Sequence, residues 1–239
     1  MLDMKVELYE SLLAECLAPR LTAVITTIDT KGRVNAAPYS FFMPLSYVPP
    51  RVCFSVNPRK YSEFASFHLS EDEPKASEVL KLKAYAGDSL DSHKDTLANV
   101  MEQGEFGVNI LSIENLPQVG ITDGAFPHGV NEMEMAGLTT YPSTKIKPPL
   151  IKEAKFGLEC VNIAVDHIDQ GECWLSLVIG EGVAAHLDSD VLEGEKIKPE
   201  RFHSILQFAG PLFGVCTDFH YYERSRYGKV IGILKDKGY

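Results

Sequence analysis

The run Ser92-His93-Lys94-Asp95-Thr96 sets a lysine, two hydroxyls and a histidine at the start of a stretch that reads as a helix. A helix start presents unpaired N–H groups and the positive end of the peptide dipole. A lysine ammonium and a threonine hydroxyl added there make an anion site suited to a phosphate. The same residues also fit an ordinary capped surface helix with an incidental lysine. A second run, Asn35-Ala36-Ala37-Pro38-Tyr39-Ser40-Phe41-Phe42, offers small residues that let a planar ring approach the backbone. Ser40 adds a hydroxyl and Phe41 an apolar surface. Pro38 lacks an N–H, so it belongs at a strand edge or bulge, where main-chain groups are left for a ligand. An ordinary edge strand is the competing reading.

Other chemistry is scarcer. His128, His186, His203 and His220 show no metal-ligand spacing, and no metal site is assigned. Glu181 and His186 alternate poorly for an acid–base pair, so no catalytic acid or base is named. Five cysteines, an odd number with no CxxC pair, suit reduced thiols better than a disulfide framework.

The elements that must position these residues are mostly strands. Thr22 to Ile28 is rich in β-branched residues, Asp29-Thr30-Lys31-Gly32 is a turn, and Val34 to Met43 reads as the return strand of a hairpin. Arg51 to Val56, Phe106 to Leu111, Phe156 to Val165 and Trp174 to His186 follow, with a hairpin turn at Asp166 to Gly171. Asp95 or Ser92 can cap a helix whose apolar face is Leu97, Val100 and Met101, and Gly104 can end it. Residues 3–17 suggest a short amphipathic helix. Residues 58–92 read as an excursion or lid, and a polar linker includes Asn131 to Met135. Many short strands and few helices predict a mainly β, antiparallel barrel or sandwich in one domain, residues 1–239.

The formal net charge of −10 argues against nucleic acid and anionic membranes as partners. The opening ten residues are mixed and charged, and Trp174 to Ile179 is far too short to span a bilayer. A cytoplasmic location is the expectation.

Four stretches in order give the chain a resemblance. They are Asn35 to Phe42; Lys94 to Leu97 with Asn99, Gly104 to Phe106 and Val108-Asn109; Ala136 to Thr139 with Pro142-Ser143, Lys147 to Pro149, Glu153 and Leu158 to Cys160; and Ile179 to Val183 with His186. Together they span about residues 20–210. The chain resembles the flavin reductase-like family, which includes flavoredoxins.

That resemblance implies a Greek-key split β-barrel that binds FMN, homodimers, and a flavin-dependent oxidoreductase. NADH or NADPH would be the cosubstrate and a small molecule or protein the electron acceptor. It also leaves room for a non-catalytic electron carrier or flavin store. By resemblance Lys94 and Thr96 hold the FMN phosphate and Asp95 shapes the loop. Asn35, Ala36, Pro38, Tyr39, Ser40 and Phe41 line the ring, and Ser55 and Asn57 lie near the ribityl chain. The 136–149 stretch would help build the site or the dimer contact. Two departures stand out. Residues 58–92 are inserted before the Lys-Asp-Thr run, and Gln207-Phe208-Ala209-Gly210 stands where relatives carry an arginine and paired glycines. The 211–239 tail, aromatic and basic, reads as an interface arm.

Overall fold

The computed structural model describes residues 15–57, 94–169 and 174–219, together with paired strands at Tyr221–Arg224 and Val230–Leu234. The insertion at 58–92 and nearly all of the amphipathic segment 3–17 lie outside the described residues.

Seven strands form the main sheet: β1 (Ala23–Ile28), β2 (Val34–Tyr39), β3 (Phe42–Tyr47), β4 (Pro50–Val56), β5 (Glu105–Ile110), β6 (Phe156–Asp169) and β7 (Trp174–Leu187). Their spatial order is β2-β1-β5-β6-β7-β4-β3, antiparallel throughout. The fold is mainly β, an antiparallel split barrel. The expected strand Val34 to Met43 is in fact two: it stops at Tyr39, and a new strand starts at Phe42. β2 and β3 are therefore consecutive in the chain yet sit at opposite edges of the sheet. Ser55 N–H donates to the Phe41 carbonyl at 3.0 Å, which extends the β3–β4 ladder back into the link.

β1 is buried on both faces, which explains its unbroken run of β-branched residues. Ile25 faces the barrel interior with Phe54, Phe106, Val108 and Val178. Val24 faces an outer layer with Ala36, Leu111, Met133 and Ile205. Helix α1 (Asp95–Gln103) closes the interior with Leu97 and Val100. Gly104 ends it in the left-handed conformation and donates to the Val100 carbonyl at 2.9 Å. The residue in the N-cap position is Lys94, in extended backbone, rather than Asp95 or Ser92; Asp95 is the first helical residue.

The expected polar linker after β5 is partly helical. α2 (Leu116–Thr122) and α3 (Glu132–Ala136) pack on β2. Asn131 caps α3 by accepting from Met133 and Glu134 N–H, and Gly137 ends it at φ 67°. The β6–β7 ladder runs into the stretch expected as the hairpin turn, Asp166 to Gly171, pairing Asp169 with Trp174.

Irregularities between Ile179 and Gly180 and between Gly182 and Ala184 bend this ladder. Gly180 lets the Phe106 ring lie against the strand: a Cβ there would sit 2.2 Å from its Cζ. Phe106 is fully buried and has no room to retreat. Gly180→Ala is expected to cost about 1–3 kcal/mol through overpacking, read as a lower urea midpoint. An unchanged midpoint would show that the sheet yields at this bend.

Candidate functional site

The head of α1 is joined to the barrel by a buried polar network. The Asn35 amide Nδ2 donates to Thr27 Oγ1 at 3.1 Å and to Thr96 Oγ1 at 3.0 Å. The Asn99 Nδ2 donates to the same Thr27 oxygen at 3.0 Å. Thr96 is only 1% exposed and Asn35 5%. These two expected ligand residues thus lie beneath the surface, where they fasten the helix head to β1 and β2. A threonine one residue inside a helix that must seal the barrel turns inward with the apolar face, next to Leu97.

Asp95 shapes the neighbouring loop. Its Oδ2 accepts from Gly129 N–H at 3.2 Å, and its Oδ1 contacts His128 Nδ1. Gly129 has φ 78°, and its bare Cα lies against the Arg33 guanidinium, which is paired with Asp29 at 2.6 Å. A cavity of about 260 Å³ opens here between the turn of the first hairpin and the flank of α1, lined by Arg33, Asn35, Asp95, Asn99 and His128 among others. It shares Asn35 and Asp95 with the expected site; the other nine residues lie outside its lining. Lys94 is half-buried at the helix start and makes no side-chain cap there.

The second half of the expected site gathers at the barrel closure. Pro38 and Ser40 are half-buried, and Phe41 is 62% exposed. Ser55 meets Phe41 through the main chain, and Asn57 is exposed just past the end of β4. Tyr39 links the halves. Its ring packs on Phe54 with centroids 4.9 Å apart, and its hydroxyl lies beside Thr96 without a well-aligned hydrogen bond. Burial pushes the Tyr39 phenol well above its usual range, and the charges of Asp123, Glu132 and Asp95 add to this.

The main chain of β2 around Pro38, expected from the sequence to be free for a ligand, is partly engaged. Pro38 does stand on the sheet edge, where its missing N–H costs nothing. The next edge position, Ala36, is already engaged: its N–H donates to Glu132 Oε2 at 3.1 Å. Glu132, on α3, is 7% exposed. Burial raises its carboxyl to about 7, with Asp95 adding to the shift and hydrogen bonds from main-chain N–H groups opposing it. Reading residues 131–135 as linker concealed this group; the signal was an acidic residue followed by Met133 and Ala136 at helical spacing.

A second buried carboxylate was also missed. Glu159 on β6 is fully buried and accepts from the Thr144, Lys145 and Ile146 N–H groups, the Thr144 hydroxyl and His186 Nε2. His186 lies edge-on to Tyr141, 5.6 Å between centroids. Glu159 thereby shapes the 142–149 stretch. A charged residue inside an otherwise apolar strand was its sequence signal. Glu181 instead pairs with Arg51 at 3.1 Å. Among the described residues no group of His, Cys, Asp and Glu is arranged to hold a metal.

An antiparallel barrel split at its closure, with a helix head fixed beside the split, defines the class of split-barrel proteins. Within that class the chain belongs to the flavin reductase like domain family, whose domain matches residues 17–205. It is 30% identical to YwrF of Bacillus subtilis (strain 168) over 188 residues, 77% of each chain. Nitrilotriacetate monooxygenase component B from Bacillus cereus shares its fold with a TM-score of 0.71 at 25% identity, covering 90% of this chain and 92% of that one. A protein with a split barrel domain from Shewanella frigidimarina NCIMB 400 aligns with a TM-score of 0.69 at 14% identity, over 93% and 95% of the two chains.

Glu159 carries a pH signature. Burial alone would raise its carboxyl, but the hydrogen bonds from Thr144, His186 and Lys145 outweigh that and hold it down to about 2. Its stabilisation is fully present above an unfolded value near 4.5 and is lost as pH falls through about 2. Glu159→Gln is expected to lose at least about 2 kcal/mol at neutral pH and to show a flatter loss of stability in acid than the parent protein. Urea titrations at stepped pH would check this; parallel acid profiles would contradict it.

Proposed function

We propose that this chain binds FMN at the barrel closure and works as a homodimeric, flavin-dependent reductase. The observation that carries the reading is the Asn35–Thr96 hydrogen bond, which fixes the head of α1 to the strand that leads into the exposed link at Phe41. A phosphate at that head would meet the Lys94 ammonium and the donors of an uncapped first turn. Pro38, Ser40 and Phe41 would face the flavin ring, with Ser55 and Asn57 beside the ribityl chain. The unsatisfied Tyr39 hydroxyl, buried between the two halves, fits a polar ligand lying across them. Asn35, Ala36 and Thr96 support this surface from behind. Bound FMN would supply the redox chemistry, accepting a hydride from NADH or NADPH and passing electrons to an acceptor. The protein's part is to hold, orient and desolvate; no side chain is assigned as acid or base.

Membership of the flavin reductase like family and the relation to a monooxygenase component support an oxidoreductase over a flavin store. The second copy would sit on β3, an edge strand that exposes Met43, Leu45 and Tyr47 beside the site.

The purified protein should show flavin absorption bands, alone or after FMN is added, and NADH or NADPH should bleach them in stopped-flow mixing. Bound flavin that neither nicotinamide bleaches would remove the reductase assignment. Lys94→Ala should weaken FMN binding by about 1.5–3 kcal/mol, roughly 10- to 150-fold in Kd. An unaltered Kd would put the phosphate elsewhere. A Met43→Lys/Tyr47→Lys double variant is expected to sediment as a monomer; a variant that still dimerises would move the interface off β3.

A further inference from the structure

A buried carboxyl on the edge of the strand assigned to the flavin is not used by the function proposed above. Glu132 holds the outward N–H of Ala36, so α3 replaces the missing neighbour strand of β2 at this one position. Its surroundings are acidic. From α1, Asp95 raises its proton affinity, and Asp95 itself is occupied by His128 and Gly129. From β2, the Tyr39 hydroxyl feels the charges of Glu132 and Asp95 together with that of Asp123, which follows α2. Geometry links the two places: Glu132 accepts from Ala36 N–H, and the adjacent Asn35 donates to Thr96 at the head of α1.

We propose that Glu132 is a positioning residue of the flavin site that takes up one proton when the flavin phosphate settles at the head of α1, so that binding is coupled to pH. This rests on the flavin reading above. The reaction balances simply: the carboxylate, one solvent proton and FMN give the complex with a neutral carboxylic acid. A dianionic phosphate beside Asp95 adds negative potential, and the least solvated carboxylate in reach relieves it by protonation. The strand anchor survives, because the carbonyl oxygen of the neutral acid still accepts from Ala36 N–H. Burial holds the free carboxyl near 7, so the proton exchanges around neutrality.

The test is FMN affinity against pH for the parent protein and Glu132→Gln, which keeps an acceptor for Ala36 but carries no charge. Every other ionisable group, His128 and the phosphate included, is common to both, so the ratio of the two Kd values isolates Glu132. From about pH 6 to about pH 8.5 the parent Kd should rise relative to that of the variant by roughly threefold or more. Superimposable profiles would overturn the proposal while leaving the flavin reading intact. If neither protein binds FMN at any pH, the flavin reading fails and the proposal with it. Should Glu132→Gln not fold, carboxyl ¹³C NMR of glutamate-labelled parent protein reads the same event. A buried carboxyl should titrate at higher pH with FMN than without it, and no such movement would overturn the proposal.

Discussion

Two residues, Ser40 and Phe41, join strands that lie at opposite edges of a seven-stranded sheet. In a flat sheet those edges would be six strand spacings apart, roughly 29 Å. The three Cα steps from Tyr39 to Phe42 reach at most about 11 Å. The sheet has no choice but to curl until its edges meet. Everything else serves that closure. Bulges at Gly180 and Gly182 bend the longest ladder, and small residues there admit Phe106 and Leu158. Phe54 and Tyr39 pack against each other where the edges converge.

Closure by a link differs from closure by a ladder. The edges converge where Tyr39 at the end of β2 packs on Phe54 of β4, but β2 and β3 are not paired with each other, so the barrel stays split. A split leaves edge groups to be satisfied, and β2 does this in two ways. Pro38 removes one donor, and Glu132 accepts from another at Ala36. α2 and α3 pack on β2 for the same reason: an edge strand with an apolar outer face needs cover.

The strands were legible in sequence because β1, β4 and β5 are largely buried apolar runs, and β6 and β7 are long β-rich runs either side of a turn. α1 was legible from its apolar spacing and the glycine that ends it. What could not be read was which polar residues turn inward. Thr96, Asn35 and Asn99 look like surface groups by type, and nothing local states that they meet across separations of 61 and 72 residues through Thr27. Glu132 and Glu159 are similar. Glu159 meets three main-chain N–H groups from residues 144–146 and Glu132 meets that of Ala36, and both encounters are properties of the fold. The break between β2 and β3 was hidden for a different reason. Val34 to Met43 is uniformly suited to extended backbone, so only the need to cross between sheet edges interrupts it.

The polar network at the head of α1 then has a physical purpose that apolar packing would not serve. Leucine and valine contacts fix a helix against a barrel only loosely in rotation, because dispersion has little direction. Hydrogen bonds from Asn35 to Thr27 and Thr96, and from Asn99 to Thr27, constrain both distance and angle. Both protons of the Asn35 amide are used, and Thr27 accepts from two residues, so little freedom remains. Such a satisfied buried network stabilises modestly but specifies strongly. It sets the donors of the helix head at a fixed place relative to the far end of β2. A ligand that must touch both, with an anionic group at one and a flat ring at the other, gains from that rigidity because the two contacts are arranged before it arrives.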